Sequence, residues 1–244
     1  MDKRGQVALF IIIAIIIAVI SILGFIFKDS ILNIQKQETI NTQVIPLLIQ
    51  PINNFILDCV EKLGKDSLVY IGENGGYYNQ NNSYYLINNK LTIPPKKIIE
   101  SSLSSYVNNN MKNCTKDFSN FKKDFKIKQG KIETKTTIMD KKVNFKVNYN
   151  IEIEKLNQKY NINSFNVDIN NNLNKIYNSI VMSLNNHTNY SMICVSCLSD
   201  ISDISNLSIE VYNINENEVE YVFIDKEYPI NNQDYKFKIA LRFT

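Results

Sequence analysis

The sequence predicts an α+β protein, an N-terminal transmembrane helix followed by one domain of amphipathic helices packed on a mainly antiparallel sheet. Three observations predict it. Val7 to Phe27 is an apolar run without a charged residue, and a helix of that length, at about 1.5 Å per residue, crosses the roughly 30 Å hydrocarbon core of a bilayer. Apolar residues recur at helical spacing from Ile52 to Leu63 and again from Ile99 to Met111, and from Phe125 the period changes to two, which is the alternation of strands with one buried face. A further helical stripe from Asn170 to Leu184 supplies a helix to pack on that sheet.

With 244 residues and no internal repeat or Pro/Gly-rich linker, the chain beyond the anchor reads as one domain with its own core. The predicted organisation is a basic leader over 1–6, the membrane helix over 7–27, a stalk or connector over 28–50 and an α+β domain over 51–244. The formal net charge is +3, and Lys3 and Arg4 sit in the leader, so the domain is close to neutral. That balance gives no electrostatic footprint for nucleic acid. The chain is rich in Asn, and Asn-x-Ser/Thr occurs at Asn81, Asn113, Asn186, Asn189 and Asn206. Such a composition yields sequons by chance, so they do not by themselves define a glycoprotein.

Lys3 and Arg4 directly precede the apolar run, while the other flank begins Lys28-Asp29. The positive-inside rule then places the N-terminus in the cytoplasm and the chain from Lys28 outside. Cys59, Cys114, Cys194 and Cys197 form an even set, in keeping with a compartment where disulfides persist. The apolar run is too long for the core of a removable signal peptide, and no small-x-small site closes it.

The residues Lys3-Arg4-Gly5-Gln6-Val7-Ala8-Leu9-Phe10 resemble the class III signal sequence of archaeal type IV pilin-like proteins. That resemblance implies cytoplasmic-side cleavage between Gly5 and Gln6, with the apolar segment retained as the N-terminal helix of the mature protein. Polymerising pilins usually carry Glu at the fifth mature position, where this chain has Phe10. The resemblance thus implies anchoring more strongly than filament assembly. Over most of its length the chain also resembles a group of single-pass membrane proteins of small-genome archaea. Its matching landmarks are the leader, Pro51 to Cys59, Tyr70 to Tyr77, a helix ending at Cys114 and strands after it, and this likeness implies no biochemical activity.

After the anchor, Lys28 to Val44 lacks Gly and Pro and reads as a weak helical stalk. Pro46 and Pro51 bracket a turn, and Pro51 suits the first turn of a helix with Ile52, Phe55, Ile56, Cys59, Val60 and Leu63 on one face. Gly64 is expected to end or weaken it. Gly72 to Tyr78 is glycine-rich, but no Lys-Ser/Thr follows, so it reads as a tight turn and not as a phosphate loop. Tyr77, Tyr78, Tyr84 and Tyr85 flank a polar run. They form either a surface platform for carbohydrate or peptide, or strand ends packed on the core around a hairpin, and the abundance of Tyr favours the second.

A helix from about Lys96 to Lys112 carries Ile99, Leu103, Tyr106, Val107 and Met111 on one side. With one Cys on the buried face of the first helix and one just past the end of the second, we expect a Cys59 to Cys114 disulfide, and Cys194 to Cys197 as the other. Phe125 to Ile153 reads as an antiparallel meander with turns at Gln129-Gly130 and Asp140-Lys141, and a short strand near Phe165 to Ile169 follows. The helix with Leu173, Ile176, Tyr177, Ile180, Val181 and Leu184 is expected to pack on it. After Cys197 the chain returns to strands at 207–211, 219–223 and 235–243, the last closing the sheet.

Cys194-x-x-Cys197 is the sharpest constellation, with spacing that suits a structural disulfide, a redox pair or half a zinc site. Zinc lacks further ligands, since His187 is the single His and is expected in a solvated loop. Redox chemistry wants the first Cys at a helix N-terminus after a strand, and the preceding segment reads as a polar loop. Glu152, Glu154, Asp200 and Asp203 read as solvated faces. The sequence therefore predicts no catalytic, cofactor-binding or metal-binding residues.

The expected function is a non-enzymatic surface protein held in the lipid bilayer through residues 7–27, presenting its domain outside for envelope organisation, adhesion or cell contact. Its expected partners are itself or other envelope proteins through the membrane helix, together with a surface ligand that the sequence does not name. Two alternatives come from other classes: a subunit of a pilus-like filament, and a membrane-tethered thiol-disulfide oxidoreductase using Cys194 and Cys197.

Overall fold

The computed structural model describes residues 45–79, 84–87, 90–187 and 194–243. The expected leader with Gly5 and Gln6, the expected membrane helix over Val7 to Phe27 and the expected stalk as far as Val44 lie outside these residues. Among the described residues no helix is long and apolar enough to cross a membrane. Residues 47–244 form one compact unit.

That unit is α+β and mainly antiparallel. Helix α1 (Gln50–Glu73) is followed by the short strands β1 (Tyr84–Ile87) and β2 (Lys90–Leu91) and by helix α2 (Lys96–Thr115). A meander of β3 (Lys126–Ile138), β4 (Lys142–Lys155) and β5 (Gln158–Asn170) comes next, then α3 (Leu173–His187) and α4 (Val195–Ser205). Strands β6 (Ser208–Asn215), β7 (Glu218–Ile230) and β8 (Gln233–Arg242) complete it. The strands form two sheets, β3-β4-β5 and β2-β1-β8-β7-β6. All pairs are antiparallel except β1 with β8.

Helix α1 is the element both sheets share. Pro51 stands in its first turn, where the missing N–H has no intrahelical acceptor to lose. Ile52, Ile56, Cys59, Val60, Leu63, Leu68 and Ile71 are buried along it. The helix does not stop at Gly64. A Cβ there would stand 2.6 Å from the Ile169 Cδ1 of β5, and one at Gly72 would stand 2.3 Å from the Lys236 carbonyl oxygen of β8. The two glycines let one helix lie close on the meander and, further along, on the second sheet.

The meander buries Val143, Phe145, Val147, Tyr149, Ile151 and Ile153 of β4 and leaves the residues between them wetter, as the alternation predicts. The expected turn at Gln129-Gly130 is instead a bulge inside β3, with a register shift between Gln129 and Ile132. β5 is longer than the sequence suggests, and the chain enters it through Leu156 and Asn157, both at positive φ. Helix α2 packs on α1 and on β3, and its Glu100 and Ser104 accept hydrogen bonds from the Ile138 and Thr136 backbone N–H groups. The open edge of β3 is thereby occupied by side chains of its own domain.

Helix α3 buries Leu173, Ile176, Ile180 and Leu184, but its principal packing is not with the meander. It packs against α4, and its N-terminus is tied to β7 by Asn172, whose amide donates to Asp225 and Glu227. The helices on the meander are α1 and α2. Likewise β8 closes nothing: it lies between β1 and β7, and Tyr235, Phe237, Ile239 and Leu241 make it a core strand.

Candidate functional site

The second sheet has one apolar face, built from Tyr221, Phe223, Phe237 and Ile239, and pairing puts Glu218, Glu220, Lys236 and Lys238 on the other. This polar face holds a cleft of about 330 Å³ lined among others by Glu73, Tyr84, Ile214, Glu218, Glu220 and Lys238. A hollow of about 170 Å³ beside it shares Glu220 and Lys238 and is bounded by Glu210 and Tyr212 of β6.

Its anchor point is a three-residue cluster. Arg242 Nε donates to Glu218 Oε1 at 2.6 Å and its Nη2 to the Tyr84 hydroxyl at 2.7 Å, while the guanidinium stacks 4.2 Å from the Tyr84 ring centroid. Tyr84 in turn donates to Glu218 at 3.1 Å. The Arg242 hydrogen bond holds the Glu218 carboxyl below the usual carboxylate range against the opposing effect of desolvation. Across the cleft Lys238 pairs with Glu73 at 2.5 Å, and that hydrogen bond raises the Lys238 ammonium. Tyr212 donates to Glu210, which pushes its phenol up. The arrangement offers fixed charges of both signs and tyrosine hydroxyls on a rigid sheet, suited to holding a polar ligand by hydrogen bonds.

The sequence shows this face only as the polar half of the alternation in β7 and β8. Nothing local links Tyr84 to Arg242, because the contact depends on the parallel β1–β8 pair.

The four tyrosines, read either as a platform or, in the favoured reading, as strand ends packed on the core, are dispersed. Tyr85 is buried and donates to the Gly75 carbonyl at 2.9 Å, and burial raises its phenol. Tyr84 belongs to the cleft. Tyr78 joins Tyr70 of α1 and Tyr106 of α2, with ring centroids 5.4 to 6.0 Å apart, and accepts from Asn109. Tyr77 is half-buried, and desolvation raises its phenol. The glycine-rich stretch before them is a turn, with Gly75 and Gly76 at positive φ and the Gly76 N–H on the Ile71 carbonyl.

The cysteines pair as the sequence predicts, Cys59 with Cys114 and Cys194 with Cys197. The first bond joins α1 to α2, with Cα atoms 5.8 Å apart. The second has a setting the sequence reading missed, for Cys194 is the N-cap of α4. The signal was present in Leu198 and Ile201, both buried, and in Asn206, which caps the far end in the left-handed region.

His187 is the last residue of α3. Glu152, Asp200 and Asp203 are exposed and Glu154 half-buried. Among the described residues no group of three or more His, Cys, Asp or Glu is placed to hold a metal ion. Comparison of the chain with protein-family models, with curated protein sequences and with solved structures finds no match.

Proposed function

We propose that this protein is a single-pass, N-terminally anchored protein of the cell membrane that presents its α+β domain outside the cell, for envelope organisation, adhesion or cell contact and not for catalysis. The observation that carries the reading is the uncharged run from Val7 to Phe27 behind Lys3 and Arg4, joined to a domain whose four cysteines are all disulfide-bonded. An apolar run of that length is at home in a bilayer, and disulfides persist outside the cytosol. The polar cleft around Tyr84, Glu218, Glu220 and Lys238 is the surface through which the domain meets its partner in this reading. Cleavage between Gly5 and Gln6 leaves the membrane helix as the mature N-terminus, and Phe10 favours an anchored protein over a filament subunit.

Fractionation of native membranes tests this. The expected result is a protein released only by detergent, as a monodisperse particle. Recovery of the chain in sheared surface fibres would replace the reading with the filament subunit.

A further inference from the structure

The junction at Cys194 holds chemistry that presentation of a domain does not use. Cys194 is the N-cap of α4, Cys197 lies in the first turn, and the disulfide joins them. The Cys197 backbone N–H donates to Cys194 Sγ at 3.3 Å, and Ser196 Oγ lies 3.5 Å from the same sulfur. No acidic side chain stands in the first turn, so the positive end of the helix faces that sulfur without a competing carboxylate on its own turn. Cys194 and Cys197 are half-buried, while Val195 and Ser196 between them are exposed, Val195 at 72%. The bond therefore lies at the surface of the domain, beside exposed residues.

The two disulfides differ in what they restrain. Cys59 is buried and its bond closes a loop of sequence separation 55, whereas the Cys194 bond spans a separation of 3. Loop-closure entropy grows with the length of chain enclosed, so the second bond is a poor staple. A sulfur at a helix N-terminus with a backbone N–H on it is, once the bond opens, a stabilised thiolate and a good leaving group.

We propose that Cys194–Cys197 is an exchange-active disulfide that takes two electrons from a dithiol of a partner protein. A thiolate of the partner attacks Cys194 Sγ, the bond between Cys194 and Cys197 breaks, and Cys197 leaves as a thiolate that takes up a proton. The partner's second thiolate then attacks its own sulfur in the mixed disulfide, and Cys194 leaves as the thiolate held by the Cys197 N–H. The partner's dithiol has become a disulfide and the Cys194–Cys197 pair a dithiol, a stoichiometric exchange. This inference goes beyond the presenting role and holds whether or not the chain is anchored.

The test is a redox titration of the full-length protein in detergent, using glutathione buffers, acid quenching, alkylation and peptide mass spectrometry of each cysteine. The Cys194–Cys197 bond is expected to be half-reduced at a ratio of squared reduced to oxidised glutathione at least a hundredfold lower than Cys59–Cys114 requires. Cys197→Ser is expected to accumulate glutathione on Cys194. Reduced, unfolded ribonuclease is expected to gain disulfides from the wild-type protein and not from the Cys194→Ser/Cys197→Ser variant. Reduction of both bonds at the same ratio would overturn the proposal, as would equal oxidation of ribonuclease by the double variant.

Discussion

Gly64 and Gly72 stand about two helical turns apart on α1 and meet different obstacles, so the same substitution separates them. At Gly72 the added methyl would meet a backbone carbonyl of β8, which has no rotamer to change. Gly72→Ala is expected to destabilise the domain by about 3 kcal/mol. At Gly64 the nearest atom is the far end of the Ile169 side chain, and Ala gains about 1 kcal/mol of helix propensity over Gly. Gly64→Ala is therefore expected to change stability by less than about 1 kcal/mol. Urea unfolding of the two variants checks this, and equal losses would contradict it. Tyr235 offers the opposite case: it is fully buried, its hydroxyl has no hydrogen-bond partner among the described residues, and burial raises its phenol. Tyr235→Phe removes a desolvated polar atom and is expected to leave stability unchanged or raise it by up to about 1 kcal/mol. A clear loss in the same unfolding assay would show that the hydroxyl has a partner.

Among elements, those whose pattern is local were legible. Alternation from Val143 to Ile153 predicts β4, and the stripe from Ile99 to Met111 predicts α2. Of the two roles expected for Gly64, ending the helix or weakening it, the first does not occur, and the close approach of Ile169, more than a hundred residues away, is not visible locally. The split into two sheets rests on the β1–β8 pairing and on β8 lying between β1 and β7, which no local signal carries. Helix α4 was hidden by its brevity and by Cys194 serving as the cap in place of Ser, Thr, Asp or Asn. The cleft shares the fate of the second sheet, since Tyr84 and Arg242 meet only after it forms. The Cys59–Cys114 link between α1 and α2 was legible from two helical stripes alone. For its separation of 55, replacing both cysteines by Ala is expected to cost about 4 kcal/mol. Replacing Cys194 and Cys197, with a separation of 3, is expected to cost at most about 2 kcal/mol. Thermal melts of the two double variants read the difference, and reversed ranking would contradict the division between staple and exchange site.

Across the molecule, acid is the condition that probes the electrostatics. Lys142 and then Asn144 hold the Asp168 carboxyl below its usual range, Asn172 does the same for Glu227 and Arg242 for Glu218. A carboxylate depressed in the folded state stabilises fully above its unfolded value and loses that contribution as pH falls through the folded one. The melting temperature is thus expected to be flat near neutrality and to fall below about pH 4. An unchanged melting temperature down to about pH 2 would contradict this. The proposed protein has its domain outside the cell and a retained helix in the membrane. The measurement that tests it most directly is protease treatment of intact cells, followed by N-terminal sequencing of the fragment left in the membrane. The expected result is loss of the domain over 51–244 and a retained fragment that begins at Gln6. A full-length chain that begins at Met1 and is shielded from the protease would contradict it.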